Sequence, residues 1–160
     1  MRSARTHVLK QGTFMAITIK TGTIDDVTAV SKHVPELLTT IDNQTVHKRL
    51  NNKKALILVA YLEDTLVGFK IGYEQSTTQF YSWLGGVHFK YRRLGIAKKL
   101  LIHQEQWAAE QGYTHIHVKS MNRFPHMLTM LITNGYYIGG YVDKQSTMQS
   151  KIKFVKQLAK

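Results

Sequence analysis

Cysteine is absent from the 160 residues, which excludes disulfide staples, thiolate zinc sites and a cysteine nucleophile. Proline occurs only at Pro35 and Pro125, and neither lies in a linker-like stretch. With no repeat and no low-complexity tract, nothing marks an internal domain boundary. Apolar runs are short, and none nears the ~20 residues of a membrane span. Acidic residues are scarce: 10 Asp and Glu stand against 22 Lys and Arg, for a formal charge of +12 with His neutral. What remains is the composition of a globular domain, 43% hydrophobic and 20% charged. Met1 to Phe14 is basic and lacks the apolar stretch of a secretory leader. The first clear pattern starts at Met15. We therefore expect a flexible arm over residues 1–14, a single domain over 15–160, and a cytoplasmic protein.

The positive charge attracts polyanions: nucleic acid, a membrane surface or a phosphorylated cofactor. It is unevenly spread. Lys90, Arg92, Arg93, Lys98 and Lys99 follow one another with no acid between them, and Lys151, Lys153, Lys156 and Lys160 line the tail. The tail reads as a solvated strand kept soluble by lysine. The first cluster differs, because a glycine and a helix start lie inside it.

Hydrophobic periodicity predicts strands over 14–20, 55–62, 65–73, 79–89, 115–119, 136–141 and 148–155. It predicts helices from Thr23 to about His33, over 45–50, from Gly95 to Gln111 and over 124–134. Glu63 and Asp64 turn one hairpin. Gly85 and Gly86 interrupt the fourth strand, where glycine signals a bulge or a close backbone approach. Met121, Met127, Met130 and Met148 read as core filler. The order of elements defines a mixed α/β (α+β) layer fold with a largely antiparallel sheet of about six or seven strands and about four helices.

The most informative stretch is Val87-His88-Phe89-Lys90-Tyr91-Arg92-Arg93-Leu94-Gly95-Ile96-Ala97. It joins a strand to the start of the longest helix. The first turn of a helix carries unpaired N–H groups and a positive dipole end, and small residues there let a phosphate approach. The spacing is neither that of a Walker loop nor that of a dinucleotide fingerprint.

This stretch resembles the acetyl-CoA signature of the GNAT superfamily of N-acetyltransferases, Arg/Gln-x-x-Gly-x-Gly/Ala. Arg92, Gly95 and Ala97 fill its named positions, and Val87 fills the hydrophobic position ending the preceding strand. Phe89 stands where the family often has proline. Asn122 and the helix ending Asn134-Gly135-Tyr136 are similar to the second half of the signature. The likeness spans Ile17 to Val155. Tyr81 to Val87 further resembles uncharacterised bacterial members of the superfamily, which supplies no substrate.

The resemblance implies transfer of an acetyl group from acetyl-CoA to an amine of a small molecule or peptide. It implies diphosphate binding by Arg92, Arg93, Leu94, Gly95, Ile96, Ala97 and Lys98, with Asn122 also near the cofactor. A backbone N–H at Val87 or Phe89 would polarise the thioester carbonyl. Gly85 and Gly86 would supply the bulge that splays the sheet. The tyrosine that often protonates the thiolate is replaced by Leu131; Tyr136, Tyr137 or water could substitute. Glu36 is the first choice for the base, ahead of Glu74 and His88. Tyr81 and Trp83 could wall a cationic acceptor. His115 and His117 lack a third ligand nearby in sequence, and no metal is expected. The resemblance also suggests a homodimer through the final strands. Two rival readings stand beside this one. The first is a CoA-binding module of the same fold without turnover. The second, supported by charge alone, is a basic nucleic-acid binder.

Overall fold

The structure, a computed structural model, describes residues 4–10, 13–37 and 41–159. Strands β1 (Ala4–Lys10) and β2 (Thr13–Thr21) lead to helix α1 (Ile24–Ser31). A 3-10 turn at Pro35–Leu37 precedes α2 (Asn43–Leu50). Then β3 (Ala55–Leu62), β4 (Thr65–Glu74) and β5 (Gln79–Val87) form a meander. A second 3-10 turn, Phe89–Tyr91, leads into α3 (Ile96–Glu110). The chain closes with β6 (His115–Met121), α4 (Pro125–Thr133), β7 (Tyr137–Val142) and β8 (Lys151–Gln157).

Local signals set the helix ends. Thr23 and Asp26 form a reciprocal capping box on α1, at 3.2 and 2.9 Å. Asp42 caps α2 by accepting from the Thr45 amide at 2.7 Å. Pro125 occupies the first turn of α4, and Gly135 beyond its end has φ +91°. No described helix is long and apolar enough to cross a membrane.

All the strands join one 8-stranded sheet in the order β1-β2-β3-β4-β5-β6-β8-β7. Only β5 and β6 run parallel; every other neighbouring pair is antiparallel. The count exceeds the expected six or seven because part of the presumed arm is a strand. Ala4–Lys10 pairs along β2 in a register from Ala4↔Ile19 to Lys10↔Thr13. Residues 1–3 and 11–12 of that stretch lie outside the described residues. The final hairpin docks by its second strand: β8 pairs with β6 and leaves β7 at the edge. Met148, expected as core filler, is exposed, because it falls in the loop before β8 rather than on it.

Two cores form, one on each face of the sheet. One gathers Phe80, Leu100, Leu101, Ile116, Leu131 and Phe154 beneath α3 and α4. The other gathers Val27, Val30, Val46, Phe69 and Ile71 beneath α1 and α2.

Candidate active site

The sheet opens in its middle. β5 pairs with β6 only from Gln79–Ser82 alongside His115–Val118. Beyond that point residues 84–87 pair only with β4, and residues 119–121 pair only with β8. The divergence starts at a bulge. The β4–β5 register passes from Gly72↔Ser82 to Ile71↔Leu84, so Trp83 is the extra residue. This corrects the expectation that Gly85 and Gly86 form the bulge. Both sit in regular pairs, opposite Lys70 and Phe69. Gly86 is small for another reason: an added Cβ would stand 3.0 Å from Val34 and 3.1 Å from the Phe69 ring.

Backbone parity decides which groups face the opening. The His88 N–H donates to the Val67 carbonyl at 2.8 Å, continuing the β4–β5 ladder. In an antiparallel ladder alternate residues turn their polar groups to opposite sides. Gly85 and Val87, of the other parity, therefore present N–H and C=O to the gap. Asn122 donates to Ser150 in the β6–β8 ladder at 2.9 Å, so Lys119 and Met121 do the same from the other bank.

At one end of the gap stands the mouth of α3. Gly95 precedes it with φ +80°, and an added Cβ there would meet nothing within 4 Å. Arg93 also adopts a positive φ, +65°, which winds the loop tightly into the helix. The first intrahelical bond is Lys99 N–H to Gly95 C=O, at 3.1 Å. The amides of Ile96, Ala97 and Lys98 thus precede any helical acceptor. No acidic residue and no side-chain cap competes for them. The Ile96 side chain is buried in the core and Leu94 packs against it, so these two can offer only backbone. Arg93 and Lys98 are exposed beside the mouth. This amide-lined, acid-free concavity suits a diphosphate.

Three expected roles meet different geometry. The Phe89 N–H is spent on the His33 carbonyl at 3.0 Å, which leaves Val87 as the free donor of the two. Arg92 turns from the helix mouth and forks onto Glu36, with both N–O distances at 2.8 Å. Its Nε also donates to the Val87 carbonyl at 3.3 Å. Glu36, expected to be the base, therefore has both oxygens engaged. The Arg92 hydrogen bonds hold its carboxyl below the usual carboxylate range, against a smaller opposing effect of burial. The Asn122 side chain donates to the Thr147 carbonyl at 3.0 Å, tying β6 to the loop before β8.

The remaining candidates are also placed. His88 stacks on His33, with ring centroids 4.3 Å apart, and its Nδ1 accepts the Lys90 N–H at 3.1 Å. Burial, with the charges of His33 and Lys90 adding, lowers its pKa, so the neutral ring presents Nε2–H, a donor rather than a base. Glu74 accepts from the Tyr113 hydroxyl at 2.6 Å, at the closed end of β5. Leu131 is fully buried in the α3–α4 core. The Tyr136 hydroxyl donates to Glu105 at 2.9 Å, and burial with that carboxylate pushes its pKa up. Tyr137 is exposed on the edge strand. Tyr81 and Trp83 both neighbour Tyr73, and Arg49 lies over Trp83 at 4.6 Å, so this aromatic wall is already faced by a cation. His117 bonds to the Gln79 side chain and His115 to Thr114. Among the described residues no group of three His, Asp or Glu side chains converges.

Sequence reasoning missed Lys70. It lies on β4, facing α3, and is buried with no hydrogen-bond or ion-pair partner among the described residues. Burial pushes its ammonium down to about 8, with Glu105 opposing. The signal was available in the sequence: a lysine inside the apolar run Thr65–Tyr73.

A splayed parallel pair with a helix mouth of free amides beside it leaves room for an extended ligand between two strands. The acetyltransferase (GNAT) family model matches residues 27–124, and the chain belongs to that family. Solved structures agree on the fold. Ard1 from Thermoplasma volcanium is similar at TM-score 0.76 and 16% identity, over 90% of this chain and 99% of that one. The ribosomal-protein-S18-alanine N-acetyltransferase of Escherichia coli is similar at TM-score 0.76 and 10% identity, over 90% and 95%. A GNAT family acetyltransferase from Elizabethkingia anophelis, solved with acetyl-CoA bound, is similar at TM-score 0.72 and 14% identity, over 89% and 98%. Comparison with curated proteins gives no match.

Proposed function

We propose that the protein transfers an acetyl group from acetyl-CoA to a primary amine, by direct attack in a ternary complex, in the cytoplasm. The opening between β5 and β6 beyond Ser82 and Val118, with the α3 mouth at its end, carries this reading. The amides of Ile96, Ala97 and Lys98, with Arg93 and Lys98 beside them, take the diphosphate. The N–H groups of Gly85 and Val87 pair with the extended arm like an added strand. The Val87 N–H is the fixed dipole for the developing oxyanion. Glu36 serves as a positioning residue that holds Arg92 against the Val87 carbonyl, and the acceptor ammonium loses its proton to water. Calorimetric titration with acetyl-CoA followed by an amine panel tests the reading. Absence of binding, or binding that survives loss of the Gly95 mouth, refutes it.

The acceptor side points to a substrate class. The carrier enters beside α3, so the acceptor arrives from the face that bears α1 and α2. There a cavity of about 480 Å³ is lined by Met121, Arg123, Lys144, Gln145, Gln149 and Lys151, with no carboxylate. Burial first, then the neighbouring charges of Lys144, Lys119 and Arg49, lowers the Lys151 pKa. Such a cluster of like charges favours an acceptor that carries a carboxylate or phosphate beside its amine. Turnover of amino acids or phosphoamines should exceed that of polyamines and should fall as salt rises; the reverse order rejects this class.

The buried Leu131 favours a second reading, a CoA-binding module without turnover. Binding of acetyl-CoA with no acceptor-dependent release of CoA selects it. The expected homodimer would use the edge strand β7, where Tyr137, Ile138 and Tyr141 are exposed; sedimentation tests this.

A further inference from the structure

The vertex of the opening holds polar atoms that the fold leaves unpaired. Ser82 is the last β5 residue paired to β6, and its Oγ is buried without a partner. Gln104 of α3 is 0% exposed, and neither its Oε1 nor its Nε2 has a partner. Lys70 is 7% exposed. All three lie on the α3 face of the sheet. An orphaned buried polar group costs about 1–3 kcal/mol, more when charged. Ser82 and Gln104 together hold three such atoms beside Lys70, and packing supplies no reason for them.

The course of Lys70 gives one. Its cross-strand neighbour is Gly85, the residue that fronts the gap. A Cβ built on Gly85 would stand 3.5 Å from Lys70 Cγ and 3.7 Å from Nζ. The lysine stem therefore lies over β5, in the space that the missing side chain of Gly85 leaves open. Glu105 acts on the ammonium across this distance. That carboxylate is itself held by Lys156 of β8 at 2.7 Å and by Tyr136 at 2.9 Å, on the far side of the gap from β4. The ammonium thus leans from β4 across β5, toward the opening. Of the titratable groups around it, Glu105 is already neutralised by Lys156, and Tyr136 donates to Glu105. Gln104, Ser82 and the buried Ser120 of β6 carry no charge.

Resting on the proposed acetyl transfer, we propose that Lys70 is the proton donor to the departing CoA thiolate, the task left open by Leu131. The acceptor nitrogen attacks the acetyl carbon, a C–N bond forms and the C–S bond breaks with its electron pair on sulfur. Sulfur takes a proton from Lys70 Nζ. The neutral amine is recharged by the proton that the acceptor nitrogen releases through water. Gln104 and Ser82 supply the remaining polar contacts at the vertex.

The test compares the wild-type chain with Lys70→Met, which fills the same space without charge. Bound CoA is titrated by the ultraviolet absorbance of its thiolate, so the readout does not depend on turnover. An opposite charge within about 4–6 Å shifts a pKa by roughly 1–3 units. The midpoint of bound thiol should therefore rise by at least about one unit in Lys70→Met. Acceptor-dependent kcat should fall about 10²-fold or more, the size of a general-acid effect, with KM for acetyl-CoA within about twofold. The melting temperature of the variant should hold or rise, because an unpaired buried charge has been removed. Equal thiol midpoints in the two proteins, with CoA bound to both, overturn the proposal while leaving acetyl transfer standing. Failure of CoA to bind the wild-type protein overturns acetyl transfer itself. A melting temperature that falls with the thiol midpoint unmoved assigns Lys70 a structural role and overturns the proposal as well.

Discussion

Glu36→Gln separates the two roles this carboxylate could play. The Glu36–Arg92 pair is bidentate at 2.8 Å, but the side chains are 31% and 42% exposed, so water screens it. Exposed pairs of this kind contribute about 0.2–1 kcal/mol. For a domain of this size, about 1 kcal/mol moves the melting temperature by roughly 2–4 °C. Gln keeps the shape and one acceptor, so a loss of about 1–3 °C at neutral pH is expected. The Arg92 contact lowers the folded-state pKa of Glu36. Its stabilisation is therefore fully present above the unfolded carboxylate value and is lost as pH falls through the lower folded value. The difference between wild type and variant should vanish in acid. The same lowering makes Glu36 a weak base, since its proton affinity falls. As a residue that positions Arg92, its loss should lower kcat by less than about tenfold and leave the pH–rate profile in shape. A general base contributes about 10²–10⁴-fold. Differential scanning calorimetry across pH and steady-state kinetics from pH 6 to 9 give both readouts. A kcat loss beyond about a hundredfold, with the limb of the profile rising with pH abolished, would refute the positioning argument and restore Glu36 as the base.

Three further outcomes follow from the geometry. Gly95→Ala should cost about 1 kcal/mol of stability, because φ is +80° at a site with nothing in steric reach. It should weaken acetyl-CoA binding by more than that, measured by calorimetry, since the Cβ enters the cradle; unchanged affinity counts against the cradle. Tyr136→Phe removes one bond to Glu105, whose other oxygen stays on Lys156. Stability should fall by about 1–2 kcal/mol with the pH–rate profile unmoved, and a lost limb in that profile would return Tyr136 to the chemistry. Lys70 has a folded pKa of about 8, below its ordinary 10.5. Between these values the unfolded chain binds more protons, so stability rises with pH. Wild type should gain on Lys70→Met between about pH 8 and 10 in thermal melts; parallel curves would mean that Lys70 is not buried as a lone cation.

The fold was legible wherever one local rule acted alone. Thr23 with Asp26, Pro125 in the first turn of α4 and Gly135 after it all mark boundaries that the structure keeps. The arm failed as a reading because β1 borrows its register from β2; a strand paired only at the sheet's edge need not show strong periodicity of its own. The bulge was assigned to Gly85 and Gly86 because glycine is the sequence sign of a bulge. The structure puts it at Trp83, and the glycines answer to Val34, Phe69 and Lys70 instead. The helix mouth was legible because it is contiguous, from Val87 to Lys98. The Glu36–Arg92 fork was not, because it joins residues 56 apart in sequence. No spacing rule brings such a pair together.

The vertex itself shows why its chemistry is hard to read from a chain. Along β4, Lys70 is the one charged residue in a run buried from Val67 to Tyr73, and a single lysine in such a run has little weight against its neighbours. Only the sheet register sets it opposite Gly85, and only the loss of β5–β6 pairing after Ser82 leaves a space for it to face. Elsewhere among the described residues most buried polar groups are satisfied: Ser31 bonds to Val27 and Ser150 to Ser146, while Thr6 Oγ1 on β1 is an isolated exception. The other unsatisfied atoms, on Ser82 and Gln104, gather at the point where the sheet parts. Packing and hydrogen bonding conflict most densely there, and a fold tolerates such a conflict where a ligand resolves it.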